Sequence, residues 1–115
     1  MPSAQLTLAR KHLSDAQLIA FFREAAWEDG TRAPGNLCDD LDKGRTLDGI
    51  FERYDPDREG GSLAIELEVK KVGPKKFRIT FGFHGAHEGD GGVWNVTYDA
   101  KGNLTMCEAD SFWIC

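Results

Sequence analysis

The chain reads as an α+β domain, with two or three N-terminal helices packed on a four-stranded antiparallel meander. Three observations predict it. Between Ser62 and Cys115 apolar residues recur with period two, the spacing of a half-buried strand. Glycine-containing turns, centred on Gly73 and on Asp99-Ala100-Lys101-Gly102-Asn103, separate consecutive runs as hairpins do. Upstream, Leu18, Phe21, Phe22, Ala25 and Ala26 follow helical spacing instead, giving a stripe wide enough to cover one face of a sheet.

The first strand places Leu63, Ile65, Leu67 and Val69 on one parity, with Glu66, Glu68 and Lys70 on the other. The second sets Phe77, Ile79, Phe81 and Phe83 against Arg78 and Thr80. Both core faces are odd-numbered, so directly paired residues must have an even sum. A turn centred on Gly73 then pairs Val69 with Phe77 and Leu67 with Ile79, and sets Glu68 opposite Arg78. In the second hairpin, Gly102 in a left-handed conformation pairs Asp99 with Asn103 and Tyr98 with Leu104. Continued without interruption, that register pairs Val96 with Met106 and Trp94 with Glu108, which brings Glu108 and Asp110 onto the core face.

Register also sorts the loops by end. Lys70, Lys71, Lys75, Lys76 and Lys101 gather at the end carrying the two turns. The opposite end is expected to collect Asp55, Asp57, Glu59, Glu88, Asp90, Glu108 and Asp110, with His84 and His87. An electrically polarised domain follows.

Before the sheet, Met1 to Lys11 is open between a short strand and a helix. Ser14-Asp15-Ala16-Gln17 is a capping box that starts a helix over Ser14–Trp27, ended by Asp29-Gly30. Asn36 to Leu41 allows one helical turn. Thr46 caps a further helix whose Leu47, Ile50, Phe51 and Tyr54 form its apolar stripe, and Asp55-Pro56 stops it. The element order resembles a cystatin-like arrangement, a helix followed by an antiparallel sheet wrapped around it; the resemblance concerns architecture and carries no function.

At 115 residues the chain is expected to form a single domain over residues 1–115, large enough for an ordinary core. A net charge of −5 argues against non-specific nucleic-acid binding and is compatible with a basic partner. No apolar run approaches the roughly 20 residues that span a bilayer, and the N-terminus lacks a basic-then-apolar leader, so neither membrane nor export is expected. The three cysteines, Cys38, Cys107 and Cys115, form no CxxC pair and predict no disulfide framework. Cytoplasmic residence is the expectation.

Three constellations could carry chemistry. Asp55-Pro56-Asp57-Arg58-Glu59-Gly60-Gly61-Ser62-Leu63-Ala64-Ile65-Glu66 resembles an EF-hand calcium loop, with oxygens at loop positions one, three and five, glycine at six and glutamate at twelve. The resemblance implies a helix leaving the loop, whereas Leu63 to Val69 alternates as a strand. His84-Gly85-Ala86-His87-Glu88-Gly89-Asp90-Gly91-Gly92 carries two histidines and two carboxylates without the spacing of an established zinc site. Glu108 and Asp110, about 6.5–7 Å apart as alternate residues of a strand, could work as an acid/base pair beside Trp94. No Ser-His-Asp, Cys-His or phosphate-loop arrangement is recognisable.

These features favour a small acidic interaction protein that binds, and inhibits, a basic partner such as a nuclease or toxin. Its contact residues would be Asp55, Asp57, Glu59, Glu88, Asp90 and Asp110, with no metal, cofactor or catalytic residue. The alternative is a small-molecule pocket or enzyme site lined by His84, His87, Trp94, Met106, Glu108, Asp110 and Phe112, with a metal as an optional component.

Overall fold

The computed structural model describes residues 4–25, 41–44, 46–53, 63–85 and 89–114. Its elements are α1 (Ala4–Ala9), α2 (Asp15–Glu24), α3 (Leu47–Arg53), β1 (Leu63–Gly73), β2 (Lys76–Gly85), β3 (Gly89–Tyr98) and β4 (Leu104–Ile114). The strands form one antiparallel sheet in the order β1-β2-β3-β4, the α+β meander that the alternation predicts. Because Leu63–Gly73 is a strand, no helix leaves the aspartate-rich loop, and the EF-hand reading is overturned.

Within the open N-terminal segment, Ala4–Ala9 is helical. As a helix it buries Leu6 and Ala9 on one face, with Leu13 following, and leaves Leu8 58% exposed. The capping box of α2 forms as written: Gln17 N–H donates to Ser14 Oγ at 3.2 Å, and Ser14 N–H donates to Gln17 Oε1 at 2.9 Å. The helix is shorter than expected, since Ala25 is already extended at ψ 135°. Thr46 caps α3 through Gly49 N–H at 3.1 Å. Tyr54 and residues 26–40 lie outside the described residues.

A ten-residue helix is marginal alone, so packing must hold α2. Leu18, Phe21 and Phe22 are fully buried. Phe21 meets Trp94 edge-on at 5.6 Å between centroids, and Phe22 meets Phe81 at 5.2 Å and Phe51 at 6.2 Å. The sheet contributes Ile65, Leu67, Val69, Phe77, Ile79, Phe81, Trp94, Val96 and Tyr98 to the same core. The helices therefore cover one face of the sheet and leave the other as a polar outer face.

Both hairpins depart from the expected register. In the first, parity holds but the pairing is two residues further along: Val69 pairs with Ile79, Leu67 with Phe81 and Ile65 with Phe83. Glu68 consequently faces Thr80, and Lys70 faces Arg78. The cause is the turn. Gly73 pairs with Lys76 around Pro74-Lys75, with proline at the position that fixes φ, and Val72 is bulged out of the ladder. Lys75 takes φ +60°, a conformation that L side chains adopt at a cost.

The second hairpin starts as predicted. Gly102 has φ +85°, Gly102 N–H donates to Asp99 O at 3.0 Å, and Tyr98 pairs with Leu104. Beyond that point β4 carries two irregularities. Thr97 pairs with Met106, so the ladder skips Thr105; Trp94 pairs with Ala109 and Val93 with Ser111, so it skips Asp110. The first skip inverts the expected faces: Cys107 and Ala109 take the core parity, and Met106 and Glu108 the outer one.

The sheet's first edge is closed by a side chain. Gln5 Nε2 donates to Ile65 O at 2.7 Å, and Leu67 N–H donates to Gln5 Oε1 at 2.8 Å. One amide thus satisfies a donor and an acceptor that an edge strand would otherwise expose. Replacing Gln5 by Leu should destabilise the protein by about 2 kcal/mol, since two partly buried backbone groups lose their partners. Urea denaturation reads the loss, and hydrogen exchange should show faster exchange at the Leu67 amide specifically. An unchanged Leu67 protection factor would show that the amide does not hold this edge.

The strained turn gives a change of opposite sign. Lys75→Gly relieves the positive-φ cost, partly offset by the greater freedom of glycine in the unfolded chain. A net gain of about 0.5 kcal/mol is expected, seen as a higher denaturation midpoint. A loss of stability would mean that the lysine side chain contributes more to this turn than its backbone costs.

Candidate functional site

The meander brings loops together at each end. At one end Lys76 pairs with Thr97, and Tyr98 N–H donates to Lys75 O at 2.9 Å, so the two hairpin turns adjoin. Lys70, Lys71, Lys75, Lys76 and Lys101 are all exposed there, as their register predicts. At the other end the start of β1, the end of β2, the start of β3 and the end of β4 meet, through the pairs Leu63 with Gly85, His84 with Gly89, and Asp90 with Ile114.

Of the residues expected to form the acidic end, Asp55, Asp57, Glu59, His87 and Glu88 lie outside the described residues. His84 and Asp90 are placed by backbone, in β2 and β3 respectively. Asp110 is the bulged residue of β4 and reaches across the outer face to Arg78, its ion-pair partner. Its carboxylate is therefore already engaged within the fold.

The pocket grouping is not assembled as expected. Trp94 is 1% exposed, packed edge-on against Phe112 at 5.8 Å and against Phe21. Glu108 pairs with Asn95 on the outer face and is exposed. A carboxylate there is solvated and lies outside any apolar pocket. The first bulge explains this: two acids on a core face would carry a large desolvation cost, and the slip at Thr105 moves both to the outer parity, while the second, at Asp110, returns Phe112 to the inner face. Phe112 alone of the far-strand pocket residues keeps the inner face, where the absent side chain of Gly92 leaves its ring room beside Trp94.

A different cavity, of about 490 Å³, lies between α2 and the start of β4, lined by Ala20, Glu24, Asn103, Leu104, Thr105, Met106 and Cys107. Of the expected pocket residues whose side chains are described, only Met106 reaches it. Burial, and then the charge of Glu24, pushes the Cys107 thiol up to about 11, so it stays protonated and weakly nucleophilic at neutral pH. Among the described residues no three His, Cys, Asp or Glu side chains come together to hold a metal ion.

Sequence reasoning missed the ionic cluster that ties the helices. Arg10, just past α1, meets Asp15 at 2.7 and 2.9 Å and Asp48 at 2.8 and 3.1 Å, a fork on each carboxylate. The hydrogen bonds to Asp15 and then Asp48 raise the Arg10 pKa, and the bond from Arg10 holds the Asp48 carboxyl below its ordinary value. Asp99 is lowered too, first by the N–H of Asn103 and then by that of Lys101, both 2.9 Å from its Oδ1. Spacing offers no signal for the Arg10 contact with Asp48, which joins residues far apart in sequence.

Both aspartates have folded pKa values below their unfolded ones. Their contribution is therefore complete above the ordinary aspartate value of about 3.9, and is lost as pH falls through the lower folded values. Urea midpoints measured across this range should fall below about pH 4. Asp99→Asn, which keeps an acceptor for the two turn N–H groups, should flatten part of that fall. If the variant kept the full acid slope, the turn carboxylate would contribute nothing to it.

No known protein family, curated protein or solved structure matches this chain.

Proposed function

We infer that the protein is a small acidic interaction protein that docks a carboxylate-rich end onto a basic partner and inhibits it, in the cytoplasm. One observation supports the reading above others. The chain carries a net charge of −5, yet five of its lysines collect at the hairpin end of the sheet, so the excess acid must be carried elsewhere. The sequence puts Asp55, Asp57 and Glu59 just before β1, and Glu88 and Asp90 between β2 and the body of β3, and the start of β1 pairs with the end of β2 at the opposite end, which supports a common location for these acids.

Focused negative charge steers association with a cationic surface and sets carboxylates against Lys or Arg groups that otherwise hold phosphates. A nuclease or toxin presents such a surface, and an immunity-type inhibitor or nucleic-acid mimic uses this physics. Asp110 has a smaller part in the interface than the loop acids, because Arg78 shares its charge.

Immobilised protein should capture a basic protein from an extract of its native cell. Asp57→Lys/Asp90→Lys should lose that partner, while charge reversal at Lys70 and Lys101 should not. Capture should weaken steeply with salt, as screening of exposed charges requires. A partner retained at high salt by the Asp57→Lys/Asp90→Lys variant would sink the acidic-end interface.

A further inference from the structure

We propose that the lysine-bearing end of the sheet is a docking surface for an anionic lipid bilayer, met end-on by the two hairpin turns. The charge there is unusually unencumbered. Lys71, Lys76 and Lys101 make no ion pair among the described residues, and Lys70 has only the 3.5 Å contact to Glu68. Asp99, which accepts the N–H groups of its own turn, keeps its negative charge and interacts with Lys75, so the uncompensated positive charge is that of Lys71, Lys76 and Lys101.

Shape selects the occupant. Val72, bulged from the ladder, is 60% exposed, and Pro74 beside it is exposed as well. Lys70 and Lys76 lie on the outer parity of the sheet and Lys71 on the inner, so lysines flank this apolar tip from both faces. A double helix is gripped by a basic stripe along one face, with arginine forks for phosphates and bases. An apolar tip rimmed by lysine ammonium groups suits a planar surface instead, where the cations stay at the headgroups and the tip enters the acyl boundary.

The net negative charge does not oppose this contact. The molecule is 42 Å long, and exposed charges are screened beyond about 8 Å at physiological ionic strength. A leaflet touching the turns is therefore several screening lengths from the far end. The spanning-segment and leader criteria, which led the sequence reading away from membranes, do not bear on a surface of this kind.

The test is sedimentation of the whole protein with vesicles of phosphatidylcholine, with and without phosphatidylserine. Binding is expected only with phosphatidylserine and should fall as salt rises. Each lysine near an anionic leaflet contributes about fivefold in affinity, so Lys71→Glu/Lys76→Glu/Lys101→Glu should bind at least about a hundredfold more weakly. Val72→Ser, with every lysine intact, should weaken binding severalfold, and circular dichroism should show both variants folded. Absence of wild-type binding to the phosphatidylserine vesicles, or binding that ignores either variant, overturns the proposal. So does tighter binding to a double-stranded oligonucleotide than to vesicles, which would assign the lysines to nucleic acid.

Discussion

The aromatic contact between α2 and the middle of the sheet is the constraint on which the rest depends. Phe21 against Trp94 and Phe22 against Phe81 are the points where the helical layer meets β2 and β3. Each ring buried there stabilises by about 1.5–3 kcal/mol, several times what a surface ion pair contributes. That difference sets the order of causes. The rings fix which sheet face is covered, and Tyr98, whose hydroxyl donates to Gln17 O at 2.9 Å, fixes where α2 begins along it. Arg10 then only has to tie together helix ends that packing has already brought close.

With one face committed, the edges of the sheet become the remaining problem, and the two are handled differently. The β1 edge is closed by the Gln5 amide, which stands in for a neighbouring strand at Ile65 and Leu67. The β4 edge is irregular instead, with one extra residue at Thr105 and another at Asp110. A strand bent twice makes a poor template for a further strand, which blunts an edge without covering it. The first of these bulges also turns Glu108 and Asp110 outward. Edge protection and the solvation of these acids thus have a common cause.

Period and turn chemistry carried the fold class, the four strands, the capping box and the left-handed Gly102, because each depends on residues close in sequence. Register was legible only as far as parity. An even sum admits both the pairing of Val69 with Phe77 and the observed pairing with Ile79, and the choice rests on Pro74-Lys75. Positive φ at a lysine is a cost that propensity assigns to glycine, so the sequence pointed to Gly73. In β4 the signal was present: two acids on a core face are evidence of a slip, and Cys107 and Ala109 fit that face better. Gln5 and Arg10 were illegible for another reason, since neither contact leaves a local pattern.

Charge shows a division of labour that the total conceals. The arginines whose side chains are described are all committed to aspartates: Arg10 to Asp15 and Asp48, Arg23 to Asp42, and Arg78 to Asp110. The described lysines, Lys70 apart, make no such pair. This follows from the two groups' chemistry. A guanidinium is planar and weakly hydrated and forks onto a carboxylate, whereas an ammonium is strongly hydrated and gains little from a fixed partner. Arginine pairing therefore removes four aspartates from the charge available to a partner, and the free lysines at the hairpin end stand out more sharply. A sum of −5 describes neither end of this molecule.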